Sequence, residues 1–498
     1  MKRKEQTKLP INSLPKSVKA VYALLMLLPA VAVPQSMNTD AYFILNAGRY
    51  ITQTGTIPST EVFSQHAGMP AILQQWLTGV IYWFLYSHFG KGALVALSFV
   101  LYACIVAVLF KICKKASGNF MLSVLCTSAA MLFISKPFIV TRPLTITFLI
   151  ILTELYALEE YTRGKAKALF ALPALSALLI NIQCSMWLML FVMVLPYAAD
   201  ALKINLKFFK TEHSYKLLPL VLACAGMFAA GFLNPYGTKA MTYLFTSYGY
   251  KEINLTVTEM FSPDIKTPSG KFYYLGFLAV ILVLVLYKKG RLSVRHSLLL
   301  LGCAYLGISS LRSYAFFAFA AAIALSSYLK DVVLTYNYTG TDPKFKQQCT
   351  ATVLVILLVF AIGLPASADE RISGEADLGC EKAVEYALKN YNMNDYTVYN
   401  SADIGGYLEF YGIKAHMDPR VELWLKDNNK EADYLKEYVQ FQHGSFPYEH
   451  YLKKYNFNLL FVNNKEDILS THLPENPCYE KVYDDGQFSI YELKENLK

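Results

Sequence analysis

Charged residues are scarce in this sequence. Only 17% of its 498 residues are Asp, Glu, Lys or Arg, whereas 54% are hydrophobic. Soluble globular proteins carry about 25% charged residues, so this composition excludes an ordinary soluble protein and indicates contact with lipid. The net charge of +9 comes from Lys and Arg clusters at the ends of apolar runs. That distribution is typical of cytoplasmic membrane loops and argues against a nucleic-acid partner.

Sequence signatures of soluble enzymes are also missing. No Ser-His-Asp constellation, CxxC, HExxH or phosphate-cradling glycine loop occurs where it would imply a soluble enzyme. Most of the nine cysteines lie in apolar runs, where a thiol behaves as a small hydrophobe, so no metal site is implied. Cys380 and Cys478 form either a disulfide or two free thiols, and the disulfide requires that their domain lies outside the cytoplasm.

Long apolar runs fill the chain as far as Leu364. A helix needs about 20 apolar residues to cross the hydrocarbon core of a membrane, and somewhat fewer where protein covers one end. About eleven transmembrane helices are predicted on this basis: Val18–Val33, Gly92–Ile112, Phe120–Ser135, Leu144–Leu158, Ala168–Ile180, Met186–Leu202, Leu217–Leu233, Phe272–Tyr287, Ser297–Leu311, Tyr314–Leu329 and Thr350–Leu364. A cleaved signal peptide is the alternative for the first of them.

The distribution of Lys and Arg predicts the orientation of the spans. Alternate connections are basic, which places the N-terminus in the cytoplasm and the region after the last span outside it. The apolar stretch Trp76–Phe89 is assigned to the outer membrane surface, because a further span there would put every basic loop outside. We therefore expect a multi-pass transmembrane domain at 1–367, with a first external loop at 34–91, and a soluble extracytoplasmic domain at 368–498.

The C-terminal region has the pattern of a small α/β domain. Helical patterns occur at Glu381–Asn390 and Lys430–Gln442, and strand patterns at Tyr396–Tyr399 and Leu459–Val462. Asp485-Gly486 between apolar alternations predicts a hairpin turn. The fold class is thus a membrane all-α domain followed by an α/β domain.

Asp40 is the leading candidate for chemistry. It follows the first predicted span on the outer side, where a carboxylate can accept a proton from an acceptor nucleophile at the membrane surface. The structural alternative is that Asp40 caps a helix over Ala41–Tyr50.

The stretch after Asp40 resembles the first external loop of the GT-C superfamily of membrane glycosyltransferases, especially the bacterial branch with a C-terminal α/β domain. Further matching pieces are spread over nearly the whole chain: Gly48-Arg49, Thr54 to Ser64, Gln74-Gln75-Trp76-Leu77, Arg142-Pro143, Asn181-Ile182-Gln183, Asn234-Pro235-Tyr236-Gly237, Ser262-Pro263-Asp264, Ser310-Leu311-Arg312, Asp403 to Leu408 and Asp418-Pro419-Arg420. The resemblance implies inverting transfer of a sugar from a polyprenyl-linked donor, with membrane lipid as surroundings and an acceptor that the sequence does not identify.

The resemblance also implies roles for particular residues. Asp40 would be the catalytic acid of the loop, and Glu61 a second acid that orders the loop, binds a donor hydroxyl or helps to hold a divalent cation. Simple surface exposure is the alternative for Glu61, and Arg49 would pair with it. Arg142 and Arg312, at outer ends of spans, would bind the phosphate leaving group or snorkel to the interface. The other substrate-binding candidates are Arg49, Gln74, Gln75, Asn181, Gln183, Asn234 and Tyr236.

Several motifs have structural interpretations as well. The Asn234 to Gly237 motif indicates a helix end followed by a surface helix. Glu259 and Asp264 either face the same cavity as Asp40 or are solvated loop carboxylates. Gly405-Gly406 predicts a tight turn that brings backbone close to another segment, such as the loop with Asp40, and Asp418 with Arg420 a local ion pair.

The sequence departs from the family at three positions. Ile44, Gln74 and Gln183 stand where histidines often occur in this branch, which indicates a changed ligand set, another substrate or lost activity. No metal is therefore assigned, and a divalent cation is the one cofactor considered. The rival functions are a catalytically silent scaffold of envelope polysaccharide assembly and a lipid or saccharide transporter, whose symmetric broken helices are not found in the sequence. A bacterial plasma membrane is the expected location.

Overall fold

The computed structural model describes residues 8–10, 16–33, 37, 39–203, 209–211, 214–247, 250–287, 292–332, 335–337 and 379–494. The predicted span Thr350–Leu364 and the predicted domain boundary after residue 367 lie outside these ranges. The same is true of most of the basic N-terminal segment and of Lys344 and Lys346 in the last predicted basic loop.

Helices dominate the chain before residue 338. They are α1 (Lys16–Leu27), α2 (Thr39–Thr54), α3 (Trp76–Phe89), α4 (Lys91–Ser117), α5 (Phe120–Phe138), α6 (Pro143–Thr162), α7 (Ala171–Ile182), α8 (Trp187–Ala201), α9 (Leu217–Ala230), α10 (Thr238–Met241), α11 (Leu244–Ser247), α12 (Lys251–Thr256), α13 (Pro268–Leu286), α14 (Val294–Ser309) and α15 (Tyr314–Tyr328). Ten of the predicted spans coincide with α1, α4 to α9 and α13 to α15 within a few residues.

Helix ends follow the local sequence. Gly118 adopts a left-handed conformation (φ 66°) that stops α4, and the side chain of Asn119 then accepts a hydrogen bond from the Leu122 N–H to begin α5. Among the residues that the structure describes, three helical segments are long and apolar enough to cross a membrane, Lys91–Ser117, Cys184–Ala201 and Leu311–Tyr328, and six shorter apolar helices accompany them. The chain is therefore a membrane protein, while the number of eleven spans stays a prediction.

The C-terminal region is a small α/β unit, as predicted. Its helices are α16 (Glu381–Asn390), α17 (Ala402–Phe410), α18 (Lys426–Asn429), α19 (Tyr434–Gln442), α20 (Tyr448–Lys454) and α21 (Leu469–His472). Strands β1 to β4 are short pairs elsewhere: β1 (Lys8–Pro10) with β4 (Thr335–Asn337), and β2 (Phe209–Lys210) with β3 (Leu292–Ser293). The C-terminal sheet has the order β5 (Val398–Tyr399), β6 (Leu459–Asn463), β8 (Phe488–Leu493), β7 (Tyr479–Asp484).

The pairing in this sheet tests the local predictions. β5 and β6 are parallel, whereas β6, β8 and β7 are antiparallel, and the β7–β8 hairpin turns at Asp485-Gly486 as predicted. The helix expected from Lys430 begins only at Tyr434, because Lys430 adopts a left-handed conformation after α18. Cys380 and Cys478 are free thiols, so the disulfide alternative is wrong.

Close helix contacts fix α2 between α3 and the C-terminal region. A Cβ on Gly48 of α2 would lie 1.9 Å from the backbone oxygen of Gly79 in α3. A Cβ on Gly406 of α17 would lie 2.9 Å from the Cβ of Phe43 in α2. Gly405 and Gly406 lie within helix α17 and do not form the predicted tight turn. The predicted close approach to the segment of Asp40 is correct.

A buried ionic cluster holds the far end of the bundle. Arg295 at the start of α14 donates to Glu159 of α6 at 3.0 Å and to Asp200 of α8 at 3.2 Å, and all three side chains are fully buried. Since α6 has 20 residues, its ends are about 30 Å apart. The cluster therefore lies at the opposite end of α6 from Arg142, which directly precedes that helix.

Candidate active site

One cavity lies where the first loop, the helical bundle and the C-terminal region meet. Its volume is about 260 Å³, slightly below the range of about 300–1,000 Å³ that is usual for small-molecule sites. The lining includes Asp40 and Ile44 of α2, Arg142 and Leu144 around the start of α6, and Asp403 of α17. The sequence-predicted residues Gln74, Gln75, Gln183 and Arg312 line it too.

Asp40 forms an ion pair with Arg142 in the lining of this cavity. It is the second residue of α2, not the residue before the helix, and its Oδ2 lies 3.0 Å from Nη2 of Arg142. The carboxylate therefore has a tertiary partner, and helix capping is not its main contact. About a third of the Asp40 side chain is exposed, which leaves it reachable from the cavity.

Arg142 is shared between two carboxylates. Its Nη1 donates to Oε1 of Glu259, which belongs to the 3-10 turn Thr258–Met260. Burial alone would raise the pKa of Glu259, but the charges of Arg142 and Arg312 outweigh burial and lower this pKa. Glu259 is thus an ionised member of the site, and the interpretation as a solvated loop carboxylate fits only Asp264, which is exposed.

Arg312 approaches the same carboxylate from the segment between α14 and α15. Its Nε is buried and lacks a hydrogen-bond partner within the described part of the chain. A buried guanidinium N–H without a partner is costly, because the donor has lost water without gaining an acceptor. Arg312 also lines the cavity, although this particular N–H is shielded from it.

A smaller apolar recess adjoins the cavity and shares its charged residues. It has a volume of about 140 Å³, and Arg142, Glu259 and Arg312 line both spaces. The rest of its wall is apolar or aromatic: Pro137, Phe138, Val140, Leu144, Tyr273 and Leu311. The two arginines thus border both the cavity with Asp40 and a recess whose other wall residues are apolar or aromatic.

One part of the cavity wall carries amide and carboxyl groups. Gln74 Nε2 donates to Glu422 at 3.0 Å, and Tyr243 donates to the same Glu422 oxygen at 2.5 Å. Gln183 is buried, and its Oε1 accepts a hydrogen bond from Thr147 at 2.9 Å. Burial raises the pKa of Glu422. This wall offers hydrogen-bonding groups to a polar ligand.

Asp403 brings the C-terminal region into the site. It lies in the first turn of α17 and lines the cavity. Burial and the nearby charge of Asp40 raise the pKa of Asp403. The C-terminal region therefore contributes directly to the electrostatics around Asp40.

Glu61 lies behind the cavity wall and orders the first loop. Its Oε1 accepts hydrogen bonds from the N–H groups of Phe63 at 2.7 Å and Ser64 at 2.8 Å, while Oε2 lies 2.5 Å from Arg420 Nη1. Glu61 is buried, so simple surface exposure is wrong. Arg420 also pairs with Asp418, which confirms the predicted local pair and extends it to the first loop.

Four other candidates make structural contacts outside the cavity. Arg49 donates to Asn46 and to the Phe410 oxygen at 2.8 Å, so its predicted pairing with Glu61 is wrong. Asn181 accepts from Trp76 Nε1 at 2.9 Å. Asn234 hydrogen-bonds within its own turn after α9, and Tyr236 donates to the Pro58 oxygen of the first loop at 2.9 Å. The structural interpretation of the Asn234 to Gly237 motif is thereby supported.

A divalent cation does not fit between Asp40 and Glu259, the two acids that contact Arg142. Arg142 already bonds both Asp40 and Glu259, so a cation there would have to displace the guanidinium. Within the described ranges, no three His, Cys, Asp or Glu side chains are grouped as metal ligands. We derive no catalytic step through a metal.

Sequence reasoning missed Glu422 and Tyr243. Both belong to the buried hydrogen-bond group with Gln74, yet they are 179 residues apart. Glu422 follows the Asp418-Pro419-Arg420 motif closely, which is the one signal that could have pointed to it. Tyr243 has no local signal, since its partner is set by the tertiary fold.

The helical bundle, the long first loop and the α/β region with a cavity at their junction define a class: membrane proteins with the GT-C fold. No model of a known protein family matches the chain, and no curated protein matches it in sequence. The oligosaccharyltransferase of Archaeoglobus fulgidus, tethered to an acceptor peptide with an NVT sequon, matches with TM-score 0.56 and 12% identity over 90% of this chain and 68% of that chain.

The apo form of the same archaeal enzyme matches with TM-score 0.54 and 11% identity over 90% of this chain and 69% of that chain. ArnT from Cupriavidus metallidurans bound to undecaprenyl phosphate has TM-score 0.49 and 11% identity, with coverage of 95% and 97%. The likeness to the archaeal structures shows that the chain has the same fold.

Proposed function

We propose that this protein is a membrane glycosyltransferase that moves a sugar from a polyprenyl-linked donor to an acceptor on the extracytoplasmic face. Asp40 takes the proton from the acceptor nucleophile, and the arginines stabilise the phosphate that leaves. Attack opposite the leaving phosphate inverts the configuration at the sugar carbon. The proposed setting is the envelope of a bacterial cell, with the N-terminus in the cytoplasm.

The placement of Arg142 and Arg312 along the border of both the cavity and the recess carries this proposal. A polyprenyl-linked sugar has an apolar tail, a phosphate and a polar head in that order. The arginines border both the apolar recess, which suits the tail, and the cavity with Asp40, whose carboxyl and amide side chains suit the head. Guanidinium groups suit phosphate because they combine charge with several directed N–H donors.

The amide and carboxyl groups of the cavity wall suit the sugar of such a donor. Gln74, Gln183 and Glu422 offer amide and carboxyl groups that hydrogen-bond hydroxyls. They lie in the cavity that also holds Asp40, so a sugar bound there has its reactive carbon near both the base and the arginines. This placement brings the reacting groups together before chemistry, which is a large part of catalysis.

The test is transfer of labelled sugar from polyprenyl-linked donors in membranes that contain the wild type or Asp40→Asn at equal expression. General base catalysis contributes about 10²- to 10⁴-fold, so we expect transfer to fall by at least about 100-fold in Asp40→Asn. Asp264→Asn is the matched control, because Asp264 is an exposed acid of the external loop outside the cavity lining. Equal transfer by wild type and Asp40→Asn would show that Asp40 is not the base, and no transfer by either would instead favour a catalytically silent scaffold.

A further inference from the structure

The two arginines of the cavity differ in their pairing. Arg142 is bonded to both Asp40 and Glu259, whereas Arg312 has a buried Nε without a hydrogen-bond partner among the residues that the structure describes. Arg312 lines the cavity, so an incoming phosphate can approach its guanidinium without first displacing a bonded carboxylate, although the Nε itself is shielded. To bind Arg142, the phosphate has to replace a carboxylate that is already in place.

Local contacts fix Glu259 beside both arginines. The backbone oxygen of Glu259 accepts a hydrogen bond from Ser310 Oγ at 3.1 Å, and Leu311 N–H donates to the oxygen of Phe261 at 2.9 Å. The turn that carries Glu259 is therefore attached to the segment that carries Arg312. These backbone contacts hold the turn so that the Glu259 carboxylate lies beside the two arginines.

We propose that Glu259 is a positioning residue that reserves Arg142 for the leaving phosphate, while the phosphate of the bound donor is held by Arg312. This inference rests on the proposed function. Arg142 engages the phosphate only as Asp40 takes up the proton of the acceptor. The two arginines thus act at different stages of one transfer.

The charge balance of the transfer explains the change of partner. The acceptor atom bonds to the sugar carbon, its proton passes to Asp40, and the bond from that carbon to the phosphate oxygen breaks with its electron pair on oxygen. Asp40 loses one negative charge and the phosphate gains one. Because Arg142 lies 3.0 Å from Asp40, it is released from this partner as the phosphate becomes more negative.

Reserving Arg142 has a catalytic advantage. An interaction that is made equally in the bound donor and in the transition state does not raise kcat, whereas one made only in the transition state does. With Glu259 removed, Arg142 is less neutralised and binds the phosphate in the ground state. Ground-state affinity then rises and the gain in the transition state shrinks.

The experiment measures binding of undecaprenyl phosphate to the purified full-length protein in nanodiscs, with undecaprenol as the probe without phosphate. We expect Glu259→Gln to bind undecaprenyl phosphate roughly tenfold more tightly than the wild type, because the cavity loses one negative charge. Undecaprenol should bind equally to both. Asp264→Asn, which removes an acid outside the cavity lining, should leave both affinities unchanged.

Variants of the two arginines test their separate roles independently of Glu259. Arg312→Gln should weaken binding of undecaprenyl phosphate strongly, and Arg142→Gln should weaken it only slightly. Once a donor sugar is known, Glu259→Gln should lower KM and kcat together.

The outcomes separate this inference from the proposed function. Unchanged or weaker phosphate binding in Glu259→Gln, or equal losses in the two arginine variants, would overturn the role of Glu259 while leaving the phosphate site intact. If the wild type does not distinguish undecaprenyl phosphate from undecaprenol, the phosphate site itself is wrong, and the proposed function fails with it.

Discussion

Glu61 and Arg420 join the first loop to the C-terminal region through a buried ion pair. Asp418 adds a second carboxylate to Arg420, and the guanidinium also lies 4.4 Å from the ring centroid of Phe43 in α2. A buried charge is tolerated only when well-placed groups of opposite charge surround it, so the loss of one such partner destabilises the folded protein. This group of residues supports the helix that carries Asp40.

Replacing Glu61 with Gln should destabilise this junction by about 3 kcal/mol, because Arg420 keeps its buried charge and loses one carboxylate. Burial alone would raise the pKa of Glu61, but Arg420 and the loop N–H groups lower it below 4.5. The stabilising charge is therefore present above pH 4.5 and is lost as the pH falls further. Thermal unfolding in detergent at pH 7 and below pH 4.5 measures both effects.

The matched control is Asp484→Asn, which breaks an exposed pair with Lys481. Exposed pairs contribute about 0–1 kcal/mol, so the melting temperature should hardly move. A Glu61→Gln protein that melts like Asp484→Asn at pH 7 would show that the buried pair does not hold the junction.

At the residue scale, sequence reasoning brought the correct charged groups together but paired some of them wrongly. Asp40, Arg142 and Arg312 all line the predicted cavity. The sequence predicts that Arg49 pairs with Glu61, whereas the partner of Glu61 is Arg420, 359 residues away. No local pattern encodes a partner at that distance.

At the scale of elements, α2 is held by backbone contacts that leave no space for a side chain. Gly48 faces the backbone of Gly79 in α3, and Gly406 of α17 faces Phe43. The position of Asp40 at the start of α2 depends on both contacts. Small displacements of α2 would move the carboxylate relative to Arg142.

Gly48→Ala should separate α2 from α3, destabilise the protein by about 1–3 kcal/mol and reduce transfer, because its Cβ would overlap the Gly79 backbone. Thermal unfolding and the transfer assay measure the two effects. Gly302→Ala in α14 is the control, since nothing lies within 4 Å of its Cβ. If both variants behave like the wild type, α2 is not held by this contact.

Apolar length was sufficient to predict the longer helices of the bundle, since ten predicted spans coincide with helices of the structure. The interpretation of Gly405-Gly406 as a turn failed for a physical reason. Glycine favours turns through its backbone freedom, and it equally permits close helix contact through its missing side chain. The sequence alone does not distinguish these two uses.

At the scale of the whole molecule, the first loop and the C-terminal region share one side. Gln65 Nε2 donates to the Val398 oxygen at 2.8 Å, and Arg49 donates to the Phe410 oxygen. The connection after α6 lies at the other end of a helix of about 30 Å. The charge distribution predicts that this connection faces the cytoplasm.

Cysteine labelling tests this arrangement. With exposed native cysteines replaced, an impermeant thiol reagent added outside intact cells should label Thr56→Cys in the loop and Asn394→Cys in the C-terminal region. Lys167→Cys, after α6, should be labelled only after the membrane is permeabilised. All three positions are exposed. Labelling of Lys167→Cys together with the other two would contradict the arrangement.

The positions of the apolar helices were predictable because the apolar length that a membrane requires is visible along the chain. The assembly of the cavity was not. It requires residues from α2, the α6 start, the turn at Glu259 and the C-terminal region to meet, and contacts across hundreds of residues decide that meeting.

The central claim is that one cavity holds a lipid-linked phosphate beside Asp40. The most direct measurement is an experimental structure of the protein with undecaprenyl phosphate in a nanodisc. We predict that the phosphate lies within hydrogen-bond distance of Arg312 and that the lipid begins in the recess between Phe138 and Tyr273. A phosphate bound elsewhere, with the recess and the cavity free of lipid, would contradict the account.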